Sequence, residues 1–160
     1  MSEQITEKIQ LVKEKMNIKN KEINSKKEEY ESLIDIQINE VRRILKEIKP
    51  LIDHFRDKKF AFNNKKLQFH SYEGPVVGVD KDIDEYYVLS SNGIINGYNI
   101  YSNEKTKPNI ALSSFLSVHS FETLLESLLE TLDIQDRILG AYQDKIEDAK
   151  SSLKKYHISF

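Results

Sequence analysis

Apolar side chains recur every three or four positions at both ends of the 160-residue chain, and in the middle they alternate in short runs. The first pattern is that of an amphipathic helix, and the second is that of a strand with one covered face. Near the N-terminus Ile5, Ile9, Val12, Met16, Ile23 and Tyr30 follow one heptad. From Ile34 a second heptad runs unbroken through Ile38, Val41, Leu45, Ile48, Ile52 and Phe55, and the phase slips by one residue near Leu33. No glycine or proline precedes Pro50, so residues 1–58 are predicted to form a long helix. Two features point to interruptions. The stretch Asn17–Glu29 is highly polar, with capping-box spacing at Ser25 and Glu28, which allows a break near residue 24. Pro50 removes one helical hydrogen bond, which predicts a kink or a fresh helical start. Leu33, Ile36, Ile44 and Leu51 widen the apolar face beyond a two-stranded seam, which favours a bundle or an oligomer.

At the other end, Phe121, Leu125, Leu128, Leu132, Leu139, Tyr142, Ile146, Ala149, Leu153 and Tyr156 keep a heptad for about five repeats, broken at Gln135. Ser117 and Ser120 are both suitable N-caps for a helix within residues 118–160. A helix over Phe121–Tyr156 would be about 54 Å long. The stripe fits either an ordinary core helix or a coiled-coil seam, within one chain or between chains. Its length and strict spacing favour the seam. Leu125, Leu128, Leu132 and Leu139, with Ile34, Val41, Leu45 and Ile48, are the expected oligomerisation residues.

Residues 59–117 hold four of the five glycines and two of the three prolines, and read as a small β unit. Strands are predicted at 67–72, 76–79, 86–89 and 94–101. A turn at Glu73-Gly74-Pro75 and an acidic loop over 80–85 separate the first three. Asn92-Gly93 fits a type I′ hairpin, Asn96-Gly97 fits a bulge or second turn, and 102–109 reads as a polar loop. A meander this small cannot bury both faces by itself, so its apolar face must lie on the helices or on another subunit. The predicted fold class is α+β: two long antiparallel, coiled-coil-like helical segments joined by a small antiparallel β-meander, in a single structural domain. A long helix, β-hairpins and a long returning helix resemble the layout of a prefoldin subunit over most of the chain. No sequence motif carries the resemblance, and Pro50 and the unequal helical patterns depart from it.

Composition narrows the chemistry. The absence of cysteine excludes disulfides, thiol nucleophiles and Cys-ligated metals. No apolar run approaches the ~18 residues of a membrane span and no signal peptide opens the chain, so a soluble, cytoplasmic protein is expected. Asp80, Asp82 and Asp84 resemble the start of a calcium loop, but Glu85 and Ser91 stand where that loop needs glycine and glutamate. His54, His70, His119 and His157 form no helical ligand pair, and Ser113, Ser114, Ser117 and Ser120 lack a glycine elbow or a base. No metal, cofactor or catalytic constellation is assigned, and an enzyme is the least favoured class.

Charge is unevenly placed although the net value is only −2. Residues 1–66 carry 16 Lys/Arg against 12 Asp/Glu, and residues 67–160 carry 8 against 14. The opposite signs favour docking of one half on the other, or of one subunit on another. The basic excess peaks in a connector where Lys58, Lys59, Lys65 and Lys66 flank Phe60 and Phe62. Cations for phosphates and rings for bases would suit single-stranded nucleic acid. Tyr86, Tyr87, Tyr98 and Tyr101 gather in one hairpin and suit protein contact, with at least one of Tyr86 and Tyr87 expected outside the core. The favoured function is a non-enzymatic protein-binding adaptor or inhibitor that forms a homo-oligomer. It would act by occlusion or scaffolding through its helical stalk and β unit. Nucleic-acid binding through residues 56–66 and nucleotide capture between subunits are the alternatives. A composition rich in Lys, Ile and Asn points to an AT-rich genome, such as a low-GC bacterium or its phages or plasmids.

Overall fold

The computed structural model describes residues 2–160. The N-terminal pattern forms one helix, α1 (Ser2–Asp57), which runs unbroken through both Ser25 and Pro50. Ser25 does not act as a cap. The polar stretch around it is instead crossed by the pairs Lys19–Glu22, Lys26–Glu29 and Lys27–Glu31 at three- and four-residue spacing. Each pair is worth only a few tenths of a kcal/mol, about 0.2–0.5. Together they favour helix over break.

The two heptads of α1 differ in burial. Ile34, Ile38, Val41, Leu45, Ile48, Ile52 and Phe55 are all buried, whereas Ile5, Ile9, Val12, Met16, Ile23 and Tyr30 are 49–63% exposed. The phase slip near Leu33 therefore marks the point where burial begins. The chain divides into two units, Met1–Asn39 and Glu40–Phe160.

The second unit is mixed α and β. A two-stranded antiparallel hairpin joins β1 (Phe62–Asn64) to β2 (Phe69–Ser71). A four-stranded antiparallel sheet follows in simple order: β3 (Val76–Asp80), β4 (Glu85–Leu89), β5 (Ile95–Asn99) and β6 (Lys105–Ile110). Two assignments change. The strand expected at 67–72 leaves the meander and pairs with the basic connector, and the loop expected at 102–109 supplies the fourth strand. Pro108 is admissible there because β6 is an edge strand, and the β5–β6 register shifts around Gly97, where a bulge was one expectation. The β4–β5 turn is also not type I′. Gly93 takes a φ of +86°, while Asn92 keeps a negative φ, and the Gly93 N–H bonds to the Ser90 carbonyl at 3.0 Å. This is a type I turn closed by a left-handed glycine, the usual three-residue hairpin.

Both faces of the sheet are covered. Successive strand residues point to opposite sides. On one side Tyr87 meets Phe115 of the short helix α2 (Leu112–Leu116), with ring centres 5.6 Å apart. On the other, Tyr86 is stacked between Phe69 of β2 and Tyr98 of β5, at 5.7 and 5.5 Å. Gly78 makes the first contact possible, since a Cβ there would sit 2.9 Å from the Phe115 ring.

The C-terminal region is not one long helix. Ser120 caps α3 (Phe121–Glu130) by accepting the Thr123 N–H at 3.2 Å, while Ser117 closes α2. A 3₁₀ turn at Thr131–Asp133 then separates α3 from α4 (Ile134–Lys155). The buried line is Leu124, Leu128, Thr131 and Ile134, one step round the helix from the expected seam, which shares only Leu128 with it. Leu125 is half-buried, and Leu132 and Leu139 are 52% and 58% exposed. Beyond Ile134 no residue of α4 is buried. The expected coiled-coil seam is thus not closed along α4 within the chain.

A buried polar tie locks this unit. Asn64 donates to the Val76 carbonyl at 3.1 Å and to Ser127, and its side-chain oxygen accepts the Leu67 N–H at 2.9 Å. Ser127 in turn donates to the Val76 carbonyl at 2.6 Å. The β1–β2 hairpin, β3 and α3 are fixed to one another through these bonds.

Leu128→Ala should cost about 2–5 kcal/mol in denaturant unfolding, as large-to-small changes in closed cores do. Leu132→Ala should stay within about 0.5 kcal/mol of the parent. Equal losses at the two positions would show that the burial line has been drawn on the wrong face.

Candidate interaction surface

The tyrosine hairpin is mostly interior. Tyr86 and Tyr87 are both buried and Tyr98 is half-buried, so Tyr101, 79% exposed, is the ring left free for protein contact. The alternation of Tyr86 and Tyr87 across the sheet is as expected. The open face is not, because the β1–β2 hairpin covers one side and α2 the other. The Tyr86 hydroxyl donates to Asn103 at 3.0 Å. Tyr87 donates to the carboxylate of Glu85 at 2.9 Å.

Glu85 is the buried acid of the fold, 6% exposed. Besides Tyr87 it accepts from the Thr106 hydroxyl at 3.0 Å and from Lys107 Nζ at 3.2 Å. Burial pushes its carboxyl up, but the three donors outweigh burial and hold it below the usual value. Burial and the neighbouring Glu85 push the Tyr87 hydroxyl up. His119, packed on Tyr87 and Phe115, is held down by burial. Glu85, Tyr87, Thr106 and Lys107 satisfy one another inside the protein, so the group serves as a structural anchor for β6. Its acid was missed because Glu85 ends a run of aspartates that reads as a solvated loop. Its partners Thr106 and Lys107 lie in a stretch that reads as unstructured. In that loop the Asp82 N–H bonds to Asp80 Oδ1 at 3.1 Å, and among the described residues no group of three or more His, Asp or Glu side chains is placed to hold a metal.

The basic connector keeps its cations exposed and turns its rings inward, Phe62 fully and Phe60 in part. Lys58, Lys59, Lys65 and Lys66 are exposed. Phe62 is buried against Phe55, with ring centres 6.5 Å apart, and Phe60 is half-buried on the same ring at 6.2 Å. Lys66 also reaches Glu126 at 3.8 Å.

A polar cleft of about 560 Å³ beside the C-terminal end of α1 is lined by the cations Lys49, Arg56 and Lys105 and by the single carboxylate of Asp53. Asp53 accepts from Ser91 at 2.6 Å and pairs with Lys49 at 2.9 Å and Arg56 at 3.3 Å. The Ser91 hydrogen bond first, and then the Lys49 contact, hold its carboxyl below the usual value. Three cations against one anion leave the cleft positive.

The longest uncovered apolar surface is the first heptad of α1, from Ile5 to Leu33. A shorter stripe on α4 exposes Leu139, Tyr142 and Ile146. Among the described residues no helix is long and apolar enough to cross a membrane. Of the expected oligomerisation residues, Ile34, Val41, Leu45, Ile48 and Leu128 are spent inside the chain, while Leu132 and Leu139 remain outside. Comparison with protein-family models, with curated proteins and with solved structures finds no match for this chain.

The sign of the Glu85 effect is checkable. Its carboxyl is lowered on folding, so its contribution is complete above the unfolded value of about 4.3 and is lost as pH falls through the folded value. The melting temperature should drop on acidification from pH ~5 to ~3, and Glu85→Gln should flatten part of that slope. An unchanged slope in the variant would mean that Glu85 does not carry the effect.

Proposed function

We propose that this protein is a non-enzymatic interaction protein, an adaptor or inhibitor that scaffolds or occludes, and that it assembles with itself through α1. One observation carries the reading: an apolar heptad stripe from Ile5 to Tyr30 is uncovered, while the next heptad of the same helix is wholly buried. A helix this long gains most of its stability from covering its apolar face, not from propensity. A sustained stripe at heptad spacing is the form in which one helix covers another. The remaining chemistry agrees, since Glu85 is spent on Tyr87, Thr106 and Lys107, while Asn64 and Ser127 are spent on each other and on the Val76 carbonyl.

Light scattering on the full chain should give a mass of two or more copies. Ile9→Lys combined with Ile23→Lys should convert it to a monomer whose near-ultraviolet signal from the tyrosine-rich unit is unchanged. A parent protein that stays monomeric at ~100 μM, a concentration well above the Kd of a functional assembly, removes this reading.

A second reading rests on the positive cleft: capture of a small polyanion such as a nucleoside triphosphate by Lys49, Arg56 and Lys105. Ligand binding raises the melting temperature by mass action. ATP or inorganic tripolyphosphate at millimolar concentration should raise it, and Lys105→Glu should abolish the rise. A flat response to both ligands removes the reading.

A further inference from the structure

The first heptad also carries a direction. With Ile9, Met16, Ile23 and Tyr30 at the a positions, Ile5, Val12, Lys19, Lys26 and Leu33 fall at d. The flanking g positions are then Lys8, Lys15, Glu22 and Glu29, and the e positions are Thr6, Lys13, Asn20 and Lys27. The g charges are sorted, two cations followed by two anions. Flanking charges of this kind set partner choice and orientation in paired helices.

In a parallel pair each g residue faces the e residue of the next heptad. Lys8 would then face the partner's Lys13, a like-charge clash made twice, and only Glu22 would find an opposite charge, at the partner's Lys27. In an antiparallel pair g faces g and e faces e. Lys8 then meets the partner's Glu29, and Lys15 meets the partner's Glu22, each twice by symmetry. Thr6 faces the partner's Lys27, Lys13 faces the partner's Asn20, and no like charges meet among these flanking pairs.

That register also sets the core layers. Ile23 packs on the partner's Val12, Tyr30 on the partner's Ile5, Met16 on the partner's Lys19, and Ile9 on the partner's Lys26. The two seam lysines are already directed to the edge of their own helix. Lys19 reaches Glu22 at 3.7 Å and Lys26 reaches Glu29 at 3.2 Å, so their methylenes can line the seam while the ammonium groups stay at its rim.

Length agrees independently of charge. The two-fold axis of this register falls between Asn17 and Ile18, so Ser2 of one copy lies level with Leu33 of the other. Ile34 is the first buried residue of α1. The paired segment thus uses the uncovered stripe from end to end and stops where burial starts. We propose that residues 2–33 of α1 pair with the same residues of a second copy as an antiparallel two-helix interface. The pair is isologous and closes as a dimer, the form most homo-oligomers take. The inference rests on the self-assembly reading and adds the partner segment, register and direction.

One charge reversal separates the two directions. Lys8→Glu faces the partner's Glu29 in the antiparallel pair and should weaken the dimer about tenfold at low salt, whereas it would relieve the Lys8–Lys13 clash in a parallel pair and tighten it. Lys8→Glu with Glu29→Lys should restore the parent affinity. The chain has no cysteine, so introduced thiols are unambiguous. Ile9→Cys mixed with Lys26→Cys should give a disulfide-linked heterodimer, and Ile9→Cys alone should give none. Self-linking of Ile9→Cys, or tightening by Lys8→Glu, overturns the antiparallel assignment. A dimer that is insensitive to Lys8→Glu and gives no disulfide between the Ile9→Cys and Lys26→Cys chains also overturns it, placing the contact elsewhere and leaving self-assembly intact. A parent that never leaves the monomer overturns both.

Discussion

The need to cover an apolar stripe governs this protein. A helix of 56 residues, about 84 Å, carries an apolar stripe along most of its length, and such a helix gains most of its stability when that stripe is covered. From Val41 to Phe55 the cover comes from within Glu40–Phe160, where Phe55 meets Phe62 and Asp53 holds Ser91. From Ile5 to Leu33 it comes from nowhere among the described residues. A one-residue change of heptad phase separates these two regimes.

Much of this was legible from residue spacing alone. The long N-terminal helix, the phase slip and the strands expected at 76–79, 86–89 and 94–101 follow from periodicity, the last ending two residues early at Asn99, and Ser120 caps its helix as its side chain predicts. The C-terminal half was misread for a definite reason. Its true buried line passes through Thr131, a polar residue that hydrophobic counting ignores, and the 3₁₀ turn after Glu130 resets the phase. Counting leucines followed Leu125, Leu132 and Leu139 instead. Strand β6 was invisible because five of its six residues are exposed, which leaves no alternation to detect. Alternation places Tyr86 and Tyr87 on opposite sides of the sheet, as observed, but both are buried where at least one is expected outside the core. Their burial depends on segments remote in sequence, and local alternation carries no information about those.

Two buried polar clusters show how so small a unit holds one arrangement. A buried polar group is costly unless every bond is satisfied, so it tolerates only the arrangement that satisfies it. Asn64 and Ser127 converge on the Val76 carbonyl, which fixes where the hairpin and α3 sit on β3. Glu85 gathers Tyr87, Thr106 and Lys107 and so fixes the last strand. Apolar packing alone would accept a strand shifted by two residues. These bonds would not.

The outer strand has a further consequence. β6 presents a row of backbone groups that another chain's strand could extend, the usual route to unwanted fibres. It carries Lys105 and Lys107, which repel a second copy of themselves, and Pro108, which has no N–H to offer. Sheet-to-sheet stacking between molecules is thereby discouraged at its most accessible point. The edge thus acts as a guard against strand-by-strand aggregation between crowded molecules.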